Sequence, residues 1–550
     1  MRWYGVIVQI FLLIGFTTGM FFEKWALSSE IRQTLVIAAT SDQHGWLSTK
    51  SVFPDEPIKG ILHIAPILQE LRQAYPHLIL LDAGDTLQGS PSNYYFNYHS
   101  AANTPLPVIQ LMNHLKYDAV VLGNHDFEPL PHVLQRNIRF SDFPWLAANV
   151  VSDNRKIRLL PYHLIEKEGI RIGILGLLTP GTSMWVDRAH LAGFSVEDMV
   201  ESARHWGHFL KEQERVDLLI GVFHSGHNLR YDQYAALNQG VSLPNAAGVI
   251  ADSQDVFDLI ISGHAHQTYP KRRTSVLRKF RIPVISPGFW AAGVSVAKLM
   301  LQKKGGQWTI ENAEYEFIEA DPAASPELLA QVEKEWQDVQ KYLHEETLFS
   351  FIAKPAKGQF YQCGTSLSHA VVKQLGAESD LSLLPGRWRW KSFAKQEMQK
   401  PLQRLHLFRW LPHDNFLVQA QLYGRQIEIL LKPYLRRQQG MRSSINYLIP
   451  GGLSMFPENP LSPQQLYPVW MTNYHWNGGR GMKAEALLHS SQKQQVAAES
   501  LRDLVFLFLQ DPSNELPAAC LAFLGRSVTR QTAFTPIPSA NNNKQSVHSF

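Results

Sequence analysis

The chain has 550 residues, a formal net charge of +4, 45% hydrophobic residues and 18% charged residues. That length is too great for one hydrophobic core, so two domains plus connections are expected. The weak net charge makes no case for a nucleic-acid polymer as partner, and two cysteines, Cys363 and Cys520, are too few for a disulfide framework or a thiolate metal site, leaving room for one disulfide at most.

In chain order, Arg2 precedes a mostly apolar run from Trp3 to Phe22, followed by Glu23 and Lys24. This length fits a signal peptide or a membrane anchor, with a buried soluble helix as the third reading, and no clear A-x-A cleavage site follows. The first two readings of residues 1–30 export the remainder, with Arg2 on the cytoplasmic side. The expected location is periplasmic or extracellular, tethered to the inner membrane if the segment stays uncleaved.

Residues 34 to 320 alternate strand-like and helix-like runs. TLVIAAT leads into Ser41-Asp42-Gln43-His44-Gly45, and Gly60 to Tyr75 has helical apolar spacing. LILL then leads into Asp82-Ala83-Gly84-Asp85, and a second helical stretch covers Leu106 to Leu115. YDAVVL runs into Gly123-Asn124-His125-Asp126, and RIGILGLLTP at 171–180 is another buried strand. VDLLIGVF ends at His224-Ser225-Gly226-His227, and FDLIIS ends at Gly263-His264-Ala265-His266. This alternation predicts a mostly parallel sheet covered by helices. VSVAKLML and WTIENAEYEFIEA close the region as antiparallel strands joined by a Gly305-Gly306 turn.

Ser325-Pro326-Glu327 has the form of a helix start, and the following run to Glu346 lacks Gly and Pro, which predicts one exposed linking helix. We place the domains at 31–322 and 351–535, with the link at 323–350 and a polar, disordered tail at 536–550.

Five apolar strands therefore deliver Asp, Asn or His at the same end, where α/β folds build their sites. Asp85 is the residue on which the chemistry converges, because one carboxylate has two oxygens and can bridge two cations. Metals here must be held by nitrogen and oxygen rather than thiolate. Asp82 is expected to anchor the glycine turn, Gln88 to fix loop geometry and His227 to orient its loop.

The series D-x-H, G-D-x-x-Q-G, G-N-H-D, H-x-G-H and G-H-x-H resembles the calcineurin-like metallophosphoesterases. Gly84 to Pro91 looks like the 5'-nucleotidase branch. Leu178-Thr179-Pro180 with Met184-Trp185, and Pro287-Gly288-Phe289-Trp290, are similar to the bacterial 2',3'-cyclic-nucleotide 2'-phosphodiesterase/3'-nucleotidases. The resemblance implies an α/β chain. Its parts would be an N-terminal metallophosphoesterase β-sandwich flanked by helices, a linking helix and a C-terminal α/β substrate-binding domain of 5'-nucleotidase type. It implies two divalent metal ions (Mn, Zn, Fe or Co), one on Asp42, His44, Asp85 and His266, the other on Asp85, Asn124, His224 and His264. It makes His125 the general acid for the leaving oxygen, with Asp126 holding its ring. For a nucleotide substrate it points to Asn415, to Tyr474 for base stacking, to a facing ring at Met455 or Phe456, and to Arg387 for phosphate. The segment around Arg387, Leu383 to Trp388, departs from the Asn-rich, Gly-Gly pattern of that family, which bears on nucleotide specificity and leaves the metal residues untouched.

The expected activity is hydrolysis of a 2',3'-cyclic phosphodiester or a nucleoside monophosphate. A 5'-nucleotidase or UDP-sugar hydrolase is the alternative on the same scaffold. A surface-anchored binding protein that has lost turnover is the alternative of another class, and the intact metal set argues against it.

Overall fold

The computed structural model describes residues 31–48, 59–100, 103–152, 157–191, 193–227, 243–277, 279–376, 381–385, 400–438, 448–451, 461–476 and 493–527. The expected leader or anchor at 1–30, the tail at 536–550, and Arg387, Met455 and Phe456 lie outside them. Among the described residues no helix is long and apolar enough to cross a membrane. By its contacts the chain divides into two units, Met1–Tyr342 with Asn473–His489, and Leu343–Thr472 with Ser490–Phe550.

The first unit holds two six-stranded mixed sheets. One runs Gln307–Glu319, Gly293–Lys304, Ile31–Thr40, Ile79–Asp82, Ala119–Val121, Trp145–Leu146. Its last four strands are parallel. The other runs Thr268–Tyr269, Val284–Pro287, Leu259–Ser262, Leu218–His224, Ile170–Leu178, Tyr162–Lys167, and its four inner strands are parallel.

One buried cluster joins Leu35, Ile37, Ala39, Ile79, Leu81 and Val121 of the first sheet to Ile172, Ile174, Ile220, Val222, Ile261 and Ile285 of the second. These are alternate residues along each strand, so one face of each sheet looks into a shared core. The intervening residues are buried too. Leu175, Leu177, Phe223 and Ile260 pack under the helices Met199–Glu212 and Ala247–Ser253.

The single parallel sheet expected from alternation is therefore two sheets face to face, the sandwich that the resemblance implies. Strands covered on both faces read as continuous apolar runs in either arrangement, so burial alone does not separate them. The antiparallel pair Gly293–Lys304 and Gln307–Glu319 forms as expected, with Gly305 and Gly306 at φ 57° and 88° in the hairpin turn.

The expected single linking helix is two segments, Pro326–Gln331 and Glu333–Leu343, the first capped by the Ser325 side chain. Leu328, Val332, Val339 and Leu343 are buried, so this stretch is packed along one side rather than exposed. Glu346–Phe351 is already a strand of the second unit, in a three-stranded sheet with Pro401–Gln403 and Leu524–Arg526. A five-stranded sheet runs Leu448–Gly451, Leu381–Pro385, Leu466–Thr472, Phe416–Tyr423, Lys493–Ser500. With the helices Lys357–Gln374 and Leu501–Gln510 it makes an α/β unit around Phe360, Leu367, Leu417, Trp470 and Phe506. Cys363 and Cys520 are joined by a disulfide inside this core.

Candidate metal centre

The C-terminal ends of three strands of the first sheet and two of the second meet at one place. Asp42 and His44 follow Ile31–Thr40, Asp85 follows Ile79–Asp82, and Asn124 follows Ala119–Val121. His224 ends its own strand, and His264 and His266 follow Leu259–Ser262. Asp42, His44, Asp85, His264 and His266 all have left-handed backbone, with φ of 50°, 50°, 60°, 68° and 52°. Each such residue costs on the order of 1–3 kcal/mol and persists only where its surroundings hold it. Here backbone bonds do so, Asp42 N–H to Gly84 O at 2.8 Å and His44 N–H to Asp85 O at 2.8 Å. Gly123 is required at its place, because a Cβ there would lie 2.1 Å from Asp85 Oδ1.

Two groups of donor atoms result. One atom each from Asp42, His44 and His266 lie within 4.8 Å of one another, and the same holds for Asp85, His224 and His264. Asn124 Oδ1 is 3.2 Å from His224 Nε2 and so joins the second group. Asp85 Oδ2 is 3.1 Å from His224 Nε2 and 3.9 Å from His44 Nε2, between the two. The structure thus brings together all seven residues singled out as ligands.

The electrostatics suit cations. Asp42 Oδ2 accepts from the Ser41 hydroxyl and from His264 N–H, but Asp42 Oδ1 is buried without a hydrogen-bond partner, 3.3 Å from His266 Nε2. Such an oxygen is costly unless something positive satisfies it. His44 gives its Nδ1–H to Gln88 O at 2.7 Å, which turns its Nε2 lone pair toward His266 Nε2, 3.2 Å away. Burial pushes the His44 and His264 imidazoles down to about 4 and about 3, holding both in the neutral form that a metal requires. Burial alone would raise the pKa of Asp85, yet the surrounding histidines, His224 foremost, hold it well below the ordinary carboxylate range. Four imidazoles, two carboxylates and an amide form a nitrogen and oxygen set of the kind that Mn, Zn, Fe or Co accept, so the residues fit the two ions.

Asp126 does not hold the His125 ring as expected. Its Oδ1 accepts from the N–H of Thr86 and Leu87, at 2.8 and 2.7 Å, and its Oδ2 from those of Gly123 and Asp85, at 2.7 and 3.1 Å. Saturated by four amides, it ties the Asp85 loop to the Asn124 loop. The carboxylate facing His125 is Glu128, with Oε1 2.8 Å from Nδ1. Burial would lower the His125 pKa; the charges of Glu128 and Asp85 override it and raise the value to about 10. Glu128 was legible only as the i+3 neighbour on a helical turn, here Asn124–Phe127.

Two further residues have places that the sequence did not disclose. The Trp185 ring lies on His264, centroids 5.3 Å apart at 15°, and Phe289 lies on His266, 4.8 Å apart at 13°. Asp82 anchors the glycine turn as expected, accepting from Gly84 N–H at 2.9 Å. The Gln88 carbonyl fixes His44. His227 is buried, with Nδ1 3.2 Å from Ser286 Oγ, and braces its loop.

Of the substrate-binding candidates, Asn415 and Tyr474 are among the described residues, one in each unit. Asn415 is half-buried, and its carbonyl accepts from Leu501 N–H at 2.7 Å. Tyr474 is exposed, edge-on to His475, and its contacts group it with the first unit.

Residues 35–268 match the calcineurin-like phosphoesterase family. The chain is similar to the trifunctional nucleotide phosphoesterase protein YfkN of Bacillus subtilis, 30% identical over 51% of this chain and 20% of that protein. It is similar to the 2',3'-cyclic-nucleotide 2'-phosphodiesterase/3'-nucleotidase of Salmonella typhimurium, 27% identical over 58% of this chain and 51% of that one. It thus spans a fifth of the first relative and about half of the second. In fold it is similar to the crystal structure of a putative 5'-nucleotidase from Staphylococcus aureus, at TM-score 0.70, 16% identity, and coverage of 88% of this chain and 98% of that one.

Proposed function

We propose that this chain, whose residues 35–268 form a calcineurin-like phosphoesterase domain, is an exported phosphohydrolase that uses two divalent metals to cleave phosphoester bonds of nucleotides. The observation that carries this is Asp85 standing between two ligand groups while Asp42 keeps a buried oxygen without a donor.

Asp42, His44, Asp85 and His266 would hold one ion, and Asp85, Asn124, His224 and His264 the other. Bound there, the pair would polarise the phosphoryl group and make an oxygen nucleophile available at neutral pH. The chain's own residues do the rest. Asp126 fixes the separation of the two ligand loops. The Glu128 carboxylate facing His125 Nδ1 at 2.8 Å keeps the imidazole protonated, so that Nε2 would give its proton to the departing ribose oxygen. The ring is partly exposed, 33%, so an ester can reach it.

For the substrate we favour a 2',3'-cyclic nucleotide or a 3'-nucleotide, in line with the activity for which the Salmonella relative is named. A 5'-nucleotidase or UDP-sugar hydrolase is the alternative, in line with the Vibrio cholerae 5'-nucleotidase, 29% identical over 47% of this chain. Export rests on the leader-like run from Trp3 to Phe22, and the Cys363–Cys520 disulfide supports it, because such bonds persist in oxidising compartments.

The test is turnover of 2',3'-cyclic AMP, 3'-AMP, 5'-AMP and UDP-glucose by Mn-loaded protein. Hydrolysis of the first two above the others supports the reading. Preference for the last two moves the chain to the alternative, and ligand capture without turnover of any ester makes it a binding protein.

A further inference from the structure

The four ligand histidines are oriented in two different ways. His44 and His224 each give Nδ1–H to a backbone carbonyl, Gln88 O and Ala83 O, both at 2.7 Å. Such a bond fixes both the tautomer and the plane of a ligand ring. Among the described residues, His264 and His266 make no bond of that kind. They sit two positions apart on one loop, both in left-handed backbone, and His266 is 39% exposed at its side chain. Their rings instead lie nearly parallel to Trp185 and Phe289. These aromatics come from outside the ligand loop. Trp185 ends the short helix after Ile170–Leu178, and Phe289 follows Val284–Pro287. Trp185 is itself seated, since a Cβ at Gly181 would lie 2.3 Å from its ring. An imidazole lying flat on a larger ring keeps its plane but can still slide and rotate within it.

We propose that Trp185 and Phe289 are positioning residues for the metal pair, one for each ion, doing by stacking for His264 and His266 what carbonyl bonds do for His44 and His224. This rests on the two-metal reading above. Each group then has one histidine locked by the backbone and one levelled by an aromatic plate. Removing a plate loosens one ligand of one ion and leaves the other ion's ligands as they were.

The test uses the full chain, stripped by chelator and titrated with Co²⁺. Bound metal is counted by mass spectrometry, and the visible d–d absorption reports ligand geometry. Wild-type protein is expected to bind two ions. Phe289→Leu and Trp185→Leu should each weaken one ion about 10- to 100-fold, the usual penalty for losing a partner that orients a ligand. The other ion should keep its affinity, the two variants should alter different parts of the spectrum, and Phe289→Tyr and Trp185→Phe should restore binding. Two tightly bound ions with unchanged spectra in both leucine variants would overturn the proposal. Should a leucine variant fail to fold, Phe289→Met and Trp185→Met fill similar space without a plane, and wild-type Co²⁺ affinity in those overturns it equally. Failure of the wild-type protein to bind any ion would instead remove the two-metal reading itself.

Discussion

Glu128 Oε1 lies 2.8 Å from His125 Nδ1, while Asp126, the carboxylate adjoining that histidine in sequence, is turned wholly into backbone amides. The two acids therefore have separable tasks. Glu128→Gln keeps the shape but removes the charge that holds the imidazole protonated. It should lower kcat by roughly ten-fold, and His125→Ala by the 10²–10⁴-fold typical of a lost general acid, with two metals still bound in each. Metal counts alongside kcat check this, and metal loss matching the loss of turnover would refute the assignment.

Asp126→Asn should act on stability instead. Its amide nitrogen would face N–H donors where an oxygen now accepts two of them, leaving buried amides unsatisfied at about 1–3 kcal/mol each. A urea titration should show a fall of roughly that size, with the loops bearing Asp85 and Asn124 exchanging amide hydrogens faster. A stability equal to wild type would mean that the four amide bonds carry no load.

Asp85 reaches both ligand groups and His266 only one, so the two should differ in stoichiometry. Asp85→Ala is expected to bind no metal tightly, and His266→Ala one ion. Each ion present at a hundred times its Kd adds about 2.7 kcal/mol, so chelation should lower the melting temperature of wild-type protein and leave that of Asp85→Ala unmoved. One ion retained by Asp85→Ala would show that this carboxylate does not bridge.

The metal residues were legible because each follows an apolar strand whose end is fixed by sheet geometry, so five short motifs could be read as one place. Glu128, Trp185 and Phe289 were harder to read. Glu128 is an ordinary acid one helical turn from His125, and the two aromatics reach their histidines only through the packing of separate loops. The task of Asp126 was misread because adjacency in sequence says nothing about where a side chain turns on a short 3-10 turn. The sandwich was ambiguous for a different reason, since Leu35, Val36, Ile37 and Ala38 are all buried and their run shows no face. The substrate candidates Asn415 and Tyr474 carry only weak local patterns, because neither belongs to the series of strand-end motifs whose place the sheet geometry fixes.

Cys363 and Cys520 close a loop of 157 residues inside the second unit's core. Removing the bond with Cys363→Ala and Cys520→Ala should cost about 5 kcal/mol on chain entropy. Metal binding belongs to the first unit, so the count of two ions should survive. A loss of metal together with the disulfide would show that the two units do not fold separately.

The second unit should also weaken in mild acid. Burial holds His406 down to about 4, against an ordinary 6.5, and its Nδ1 accepts from Gln403 N–H at 2.9 Å. Burial likewise holds His369, whose Nδ1 is 2.6 Å from Ser382 Oγ, down to about 4. Between those values the unfolded chain binds the protons that the folded chain refuses. The stability is therefore fully present above pH 6.5 and is lost as the pH falls toward 4, by up to about 3 kcal/mol for the buried His406. Urea titrations of chelated protein at pH 7.0, 5.5 and 4.5, a span chosen to bracket about two units of His titration, separate this from metal release. His406→Gln, which cannot take up the proton, should flatten the slope between the outer points. A slope equal to wild type in that variant would place the acid sensitivity elsewhere in the chain.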